Sequence, residues 1–291
     1  MEWLEISVTV ENEIAEAVAG VLSRYAQHGV AIEAGPDGWN AGPVVVRAYL
    51  PADDTLTANR CRVEESLWHL GQIQPIPAPN FRTVAEEDWA EAWKERLTVM
   101  HFGRHLVVRP SWLEYVPAPG DAVIQLDPGM AFGTGLHPTT QMCLVALEEL
   151  VRTGTAVLDL GCGSGILAIA AARLGAGRVL AVDDDPVAVK TAQENVAANG
   201  VQETVSVMHG SLVEAAGSYD LVAANILARV IVEMVQGGLA ERVRSGGTLI
   251  ATGILDGQEG EVIAALEREG LVLIEQRRIE DWVCLLARRV L

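Results

Sequence analysis

Cysteine is scarce in this sequence, and the few cysteines lie far apart. The 291 residues include four of them, Cys61, Cys143, Cys162 and Cys284, with no CxxC pair and no histidine at metal-ligand spacing. A disulfide framework and a structural metal site are therefore not expected. Unpaired cysteine is frequent in protein interiors, so we predict that all four are reduced and that most lie in a core.

Long apolar runs and an N-terminal targeting signal are also missing. Although 50% of the residues are hydrophobic, no window reaches the roughly 18 uninterrupted apolar residues that a membrane-spanning helix needs. The opening residues, MEWLEISVTV, carry acids where a signal or transit peptide carries bases. These features predict a globular, cytoplasmic protein without a membrane partner.

Basic residues are in the minority. Lys and Arg total 21 against 39 Asp and Glu, which gives a formal net charge of −18. Attraction to a phosphate backbone depends on clustered Lys and Arg, so direct binding to nucleic acid is not expected. A basic protein is the better electrostatic partner for this chain.

The length allows two domains, and the pattern of apolar residues divides the chain after residue 86. Residues 1–86 show the periods of a strand, a helix, two strands, a helix and a last strand, which predicts a small α+β domain of the ferredoxin-like type. Residues 87–99 predict a linker helix with Trp89 and Trp93 on one face. These tryptophans either dock the helix onto one domain or belong to an arm between the domains.

Residues 100–291 alternate strands and helices at the spacing of βαβ units. This alternation predicts an α/β domain with a mainly parallel sheet and helices on both faces. The last two strands, LVLIEQ and WVCLLAR, have no helix between them, so we expect an antiparallel pair at one edge. Asp185, Pro186 and Gly200 mark the beginning and the end of one helix.

A glycine-rich turn, DLGCGSG at 159–165, separates a strand from a helix in the second domain. Backbone N–H groups at a helix N-terminus favour a negatively charged ligand group. The dinucleotide fingerprint GxGxxG fits poorly, because its sixth position is Ile166 and the next strand ends in an acidic triplet at 183–185. A GxxxxGK[ST] motif is absent, which argues against Walker-type nucleotide hydrolysis. The remaining alternative is that the glycines only form a tight turn.

DLGCGSG followed by an acid at the end of the next strand resembles the first two motifs of class I S-adenosylmethionine-dependent methyltransferases. The resemblance implies S-adenosylmethionine as the cofactor, with Gly161 and Gly163 near its methionine part and Asp183 accepting hydrogen bonds from both ribose hydroxyls. Asp183 also suits this role by position, since the tip of a buried strand meets ligands at the switch point of an α/β sheet. Asp184 and Asp185 are expected to be solvated or to cap a helix.

A narrower resemblance covers nearly the whole chain. LDPGMAFGTGLHPTT, LDLGCGSGILAIAAARLGA, ANIL and EEDWAEAWKE together are similar to the bacterial methyltransferases of ribosomal protein L11, although Leu136 stands where that family often has Thr. The resemblance implies a Rossmann-like class I methyltransferase domain and an N-terminal substrate-recognition domain. It implies a protein N-methyltransferase that acts on lysine amines, with the N-terminal amine left open, of a basic large-subunit ribosomal protein.

The same resemblance assigns three further site residues. It implies that Phe132 packs near the cofactor, that Thr140 hydrogen-bonds it, and that Asn225 contacts it. Asn225 is also the candidate catalytic residue, because its carbonyl groups can orient an amine. In many amino methyltransferases this Asn or Asp precedes Pro-Pro and an aromatic residue, whereas Ile226 and Leu227 follow here, so the orienting role is a hypothesis.

Two positions near these motifs have open roles. His137 is either catalytic or braces the loop at the entry to a helix that begins at Pro138. Ser211 stands near the point where many methyltransferases place an acid for the adenine amino group, so that contact stays unassigned.

Two other functions are compatible with the cofactor motifs. One is a methyltransferase of RNA or of a small molecule, against which the acidic charge and the additional N-terminal domain argue. The other is a cofactor-binding assembly factor without turnover, which would retain DLGCGSG but has no need of ANIL.

Overall fold

The chain forms two compact units, Met1–Leu97 and Thr98–Leu291, each with a hydrophobic core of its own. The computed structural model describes residues 2–22, 24–26, 30–33, 43–53, 55–71, 75–85, 98–127, 135 and 137–290. Phe132 and all but the last two residues of the predicted linker helix lie outside the described residues.

The described residues of the first unit form one sheet and two helices. Its elements are β1 (Glu2–Val10), α1 (Asn12–Leu22), β2 (Val30–Glu33), β3 (Val44–Pro51), α2 (Leu56–Gly71) and β4 (Asn80–Ala85). All neighbouring strands pair antiparallel, in the order β2-β3-β1-β4. Buried residues alternate along β3 because successive side chains of a strand point to opposite faces. The element order follows the sequence pattern, and the ferredoxin-like assignment stays a prediction.

The second unit begins with a small sheet of three strands, β5 (Met100–Phe102), β6 (Leu106–Arg109) and β7 (Ala122–Gln125). The apolar residues in HLVVRPSW and AVIQLDPG predict β6 and β7, whereas β5 was missed because three residues are too few to show a period.

A sheet of seven strands forms the body of the second unit. Its elements are α3 (Pro138–Leu150), β8 (Ala156–Leu160), α4 (Ile166–Arg173), β9 (Arg178–Asp183), α5 (Pro186–Ala198), β10 (Val205–His209), β11 (Tyr219–Asn225), α6 (Ala228–Gln236), α7 (Leu239–Arg242), β12 (Val243–Leu255), α8 (Glu259–Arg268), β13 (Leu271–Ile279) and β14 (Trp282–Arg289). The strand order is β10-β9-β8-β11-β12-β14-β13. The first five strands are parallel, and β14 is antiparallel to both of its neighbours, so the predicted mainly parallel sheet with an antiparallel C-terminal edge is confirmed.

Two cores cover the two faces of this sheet. Val157 belongs to the core that includes α3 and α4, and its neighbour Leu158 belongs to the core that includes α6 and α8. Burial on both faces explains why the strands are nearly continuous apolar runs. All four cysteines are free thiols, and all except the exposed Cys61 are buried.

The part of the chain that the structure describes lacks two features, a membrane-spanning helix and a cluster of metal ligands. No helix there is long and apolar enough to cross a bilayer. The His, Cys, Asp and Glu residues of the same part form no group that could hold a metal ion.

Asp185 begins α5 as the sequence pattern predicts. It occupies the N-cap with φ −89° and ψ 116°, and its carboxylate accepts a hydrogen bond from the Val187 N–H at 2.8 Å. Pro186 follows at the first helical position, where its missing N–H costs nothing. The capping role expected for one of the acids after Asp183 is confirmed.

We expect Asp185→Ala to lower the free energy of unfolding by about 0.5–2 kcal/mol, because the Val187 N–H loses its capping acceptor. Urea denaturation followed by circular dichroism measures this loss. The matched control is Asp184→Ala, at an exposed position one residue earlier, which should change stability by less than about 0.5 kcal/mol. Equal losses in both variants would show that charge rather than capping is responsible.

Candidate active site

Three neighbouring strands, β9, β8 and β11, end side by side at the carboxyl edge of the large sheet. Asp183 is the last residue of β9, the glycine turn follows β8, and Asn225 is the last residue of β11. The chain runs outward from β8 through β9 to β10 and on the other side from β11 to β12. The sheet thus has its topological switch point between β8 and β11, where open α/β sheets bind ligands.

The glycine turn is tied to the end of β9 by backbone hydrogen bonds. The N–H groups of Gly161 and Cys162 both donate to the Val182 carbonyl, at 2.9 and 3.1 Å. Gly161, Gly163 and Gly165 have φ of 68°, 53° and 81°, a region that glycine enters without a Cβ clash. The turn therefore requires glycine at these positions and presents bare backbone at the start of α4.

Ile226 lies so close to Gly161 and Gly253 that neither position has room for a side chain. A Cβ on Gly161 would lie 2.4 Å from Ile226 Cγ2, and a Cβ on Gly253 would lie 2.1 Å from the Ile226 carbonyl oxygen. Ile226 is therefore held between two glycines directly after Asn225. Sequence analysis did not single out Gly253, although a glycine inside the apolar strand TLIATGI is the usual sign of a close backbone approach.

The Asp183 carboxylate is held by two backbone groups. Its Oδ2 accepts from the Gly163 N–H at 2.8 Å, and its Oδ1 accepts from the Asp185 N–H at 3.0 Å. An ionised carboxylate has about four acceptor positions on its two oxygens. Each oxygen of Asp183 thus keeps a second position, so a pair of neighbouring hydroxyl groups can donate to one oxygen each.

The first turn of α3 meets the end of β11. Asn225 Nδ2 donates to Thr140 Oγ1 at 3.3 Å, and Thr140 is fully buried while Asn225 is half-buried. The structure thus brings two of the predicted cofactor residues into contact. Because the amide nitrogen donates to Thr140, Asn225 Oδ1 is the atom that can accept a hydrogen bond from an incoming group.

His137 caps α3, which supports the helix-entry role over the catalytic one. Its Nδ1 accepts from the Thr139 N–H at 3.3 Å and lies 2.7 Å from Thr139 Oγ1. Its ring packs edge-on against Trp282, with the ring centroids 4.7 Å apart. Burial lowers the pKa of His137, and the opposing effect of Glu280 does not restore it. A ring nitrogen that accepts the capping bond is not free to take a proton from a substrate.

Asp159 is a buried acid that sequence analysis did not single out, although it stands within the apolar strand TAVLDL. The residue is 1% exposed. Its Oδ2 accepts from the Ala168 N–H of α4 at 3.1 Å, whereas its Oδ1 has no hydrogen-bond partner among the described residues. Burial raises the pKa of Asp159 to about 7; the Ala168 N–H opposes the rise and the Asp183 carboxylate adds to it.

The raised pKa of Asp159 makes stability depend on pH. The folded chain keeps this proton up to about pH 7, whereas an unperturbed Asp loses it near 3.8. Between these values the folded state binds more protons than the unfolded state. The contribution of Asp159 to the free energy of unfolding therefore falls as the pH rises from 3.8 to about 7.

Comparison with known proteins assigns this arrangement to one family. The family model described as ribosomal protein L11 methyltransferase matches residues 2–290. The chain belongs to the ribosomal protein L11 methyltransferase family. The resemblance seen in the sequence motifs is thereby confirmed.

Individual relatives in this family match the chain from end to end. The ribosomal protein L11 methyltransferase of Chloroflexus aurantiacus is 46% identical, over 99% of this chain and 98% of that protein. That of Pelotomaculum thermopropionicum is also 46% identical, over 99% of both. A crystal structure of the ribosomal protein L11 methylase of Lactobacillus delbrueckii subsp. bulgaricus is 33% identical, with a TM-score of 0.61, and covers 67% of this chain and 99% of that chain. These similarities confirm a Rossmann-like methyltransferase fold.

Proposed function

We propose that this methyltransferase transfers methyl groups from S-adenosylmethionine to lysine amines of ribosomal protein L11, with the N-terminal amine left open as a second acceptor. The observation that carries the proposal is the placement of Asp183, the glycine turn and the Asn225–Thr140 pair at one switch point. Membership of the L11 methyltransferase family supplies the acceptor protein.

The described residues fit this donor. The spare acceptor positions of Asp183 suit the two ribose hydroxyls, and the glycine turn lets backbone N–H groups approach the methionine part without Cβ atoms in the way. Thr140 and Asn225 would border the same site. The resemblance adds Phe132, which lies outside the described residues, as a further cofactor contact. When bound, the donor supplies an electrophilic methyl group on a positively charged sulfur.

The acceptor amine must lose a proton before it attacks. A lysine with a pKa of about 10.4 is only on the order of 0.1% neutral near pH 7.4, which corresponds to about 4 kcal/mol. The segment AANIL contains no His, Asp or Glu, and the Nδ1 of His137 is engaged in capping. The amine would release this proton to solvent. Asn225 Oδ1 would then accept an N–H of the neutral amine and hold the nitrogen lone pair in line with the methyl carbon, while the apolar Ile226 and Leu227 disfavour the ammonium form. The bond between sulfur and the methyl carbon would break as the N–C bond forms, with S-adenosylhomocysteine as the leaving group.

The acceptor protein is recognised through charge and through the first unit. A net charge of −18 favours a basic partner, and the motifs for cofactor and amine all lie in the second unit. Residues 1–86 contain none of these motifs, and the family resemblance implies that they form the substrate-recognition domain. The cytoplasmic location expected from the sequence stays a prediction.

Removal of residues 1–97 tests this division of roles. We expect the remaining unit, which has its own cores, to bind S-adenosylmethionine with unchanged Kd. Its kcat/KM for ribosomal protein L11 should fall tenfold or more, equivalent to about 1.4 kcal/mol of lost recognition. An undiminished kcat/KM would show that the first unit does not recognise the substrate. Loss of donor binding would instead indicate that the fragment is misfolded, which thermal unfolding checks.

A transfer assay with several acceptors tests the function itself. The full chain is incubated with methyl-labelled S-adenosylmethionine and, in separate reactions, purified ribosomal protein L11, ribosomal RNA and small primary amines. Label in L11 alone is the expected result, and label in RNA or in small amines would favour the alternative methyltransferase classes. Because the chain itself has only two lysines, Lys94 and Lys190, self-methylation contributes little background. Donor binding without any transfer would indicate an assembly factor.

A further inference from the structure

The two carboxylate oxygens of Asp159 have different surroundings. Oδ2 accepts the N–H of Ala168, the third residue of α4, and so replaces the cap that Gly165 at the N-cap position does not supply. Oδ1 is buried without a partner among the described residues. A buried, unpaired polar atom at a ligand site calls for a ligand, a water molecule or a proton to complete it.

Three acidic groups among the described residues interact electrostatically with Asp159. Asp183 faces it from the end of β9, Cys162 from the glycine turn and Cys143 from α3. Burial raises the pKa of both thiols far above neutrality, so they stay uncharged. The ionised form of Asp159 is therefore opposed by Asp183 and needs a nearby positive charge to be stable.

We propose that Asp159 is a positioning residue of the donor site that holds a proton on Oδ1 while the site is free and releases it to solvent when S-adenosylmethionine binds. This inference rests on the proposed function, since it takes S-adenosylmethionine as the ligand. In the proposed function the glycine turn receives the methionine part of the donor, and Asp159 is the first residue of the motif DLGCGSG that forms this turn. The positive sulfonium of that part would therefore stabilise the ionised carboxylate. The product, S-adenosylhomocysteine, has lost that charge, so ionised Asp159 favours the donor over the product.

The geometry lets the proton leave without moving the glycine turn. Ala168 donates to Oδ2, which accepts the bond whether Oδ1 is protonated or ionised. The start of α4 thus keeps its cap in both states. Only the charge beside the turn changes, and this change alters donor affinity rather than the fold.

Calorimetry on the full chain measures the proton release. Titration with S-adenosylmethionine at pH 7 in two buffers of different ionisation enthalpy should show about half a proton released per donor bound, since a group with a pKa near 7 is half protonated there. Between pH 6 and 8 the donor Kd should fall about tenfold, and the Kd for S-adenosylhomocysteine should fall less. Asp159→Asn should release about half a proton less than wild type. Any proton exchanged by the amine of the donor itself is the same in both proteins, so it cancels when the two values are subtracted.

A matched control is Asp220→Asn, which alters a carboxylate that accepts the Ala156 N–H at the opposite end of β8 and should leave proton release unchanged. Infrared spectra of the ligand-free chain should show a protonated-carboxyl band at pH 6 that is lost on raising the pH to 8 or on adding the donor, and that is missing in Asp159→Asn. Donor binding with equal proton release in wild type and Asp159→Asn, or no such band, overturns the inference and leaves the proposed function intact. Absence of donor binding in wild type at every pH refutes the proposed function instead.

Discussion

Replacement of Asp183 by Ala is expected to weaken the binding of S-adenosylmethionine by about 1.5–3 kcal/mol, the range for hydrogen bonds to a charged group. This corresponds to a Kd increase of roughly 10- to 150-fold. Each carboxylate oxygen of Asp183 accepts one backbone N–H, from Gly163 or from Asp185, and keeps one acceptor position for a ribose hydroxyl. The Ala variant loses both of these positions. Calorimetric titration at constant salt and pH measures the change.

Two further variants separate the ligand contacts from the backbone contacts. Asp183→Asn keeps one acceptor oxygen and should give an intermediate Kd, whereas the exposed Asp184 can be replaced by Ala with little effect. Thermal unfolding of each variant checks that the glycine turn is intact. Equal losses of affinity at 183 and 184, or no loss at either, would exclude Asp183 as the ribose-binding residue.

Replacement of Asn225 by Ala should lower the single-turnover rate of methylation about 100-fold, the cost of losing alignment at a reacting centre. The Ala variant has no amide oxygen to hold the neutral amine. Thr140→Val is the matched variant, because it removes the hydroxyl that accepts from Asn225 Nδ2 at 3.3 Å but keeps the shape of the side chain. It should give a smaller loss of the same kind. An unchanged rate in Asn225→Ala would show that the amine is positioned by other groups.

The single-turnover rate of methylation should also depend on pH, and the protonation of the acceptor amine sets the direction of the change. Only the unprotonated amine attacks, so the single-turnover rate should rise with pH through about 7 to 9 in the wild type and, at a lower level, in Asn225→Ala. His137→Ala should retain the rise, since its Nδ1 accepts the capping N–H of Thr139. A flat wild-type profile with chemistry rate-limiting contradicts the mechanism. Loss of the rise in the His137 variant would identify this residue as the base.

The parts of the fold that the sequence predicted are those with a strong period or a strong local signal. The apolar strand before the glycine turn, the apolar helix after it, the N-cap at Asp185 and the antiparallel pair at the C-terminus each depend on neighbouring residues alone. The strand β5 was missed because Met100–Phe102 is too short to show alternation. Strand order was not predictable in the same way, because it depends on contacts between distant segments.

Some features of the candidate site could be predicted from the sequence, and others could not. The resemblance to methyltransferase motifs selected Asp183, the glycine turn and Asn225, and each of them stands at the end of a strand. The sequence did not reveal that Gly161 and Gly253 enclose Ile226, nor that Asp159 has an unpaired oxygen. These features arise where β8, β11 and β12 meet. The glycine within TLIATGI and the acid within TAVLDL are local signs of them, but neither segment shows which residue lies opposite.

The central claim, methylation of ribosomal protein L11 on its amines, is tested most directly by mass mapping of the product. Purified L11 is treated with the full chain and S-adenosylmethionine, and its intact mass and its peptides are compared with those from a reaction with Asn225→Ala. We expect mass increases in whole methyl steps, located on lysine side chains or on the N-terminal amine. In Asn225→Ala these increases should develop much more slowly. An L11 of unchanged mass, with S-adenosylmethionine bound to the enzyme, would contradict the central claim.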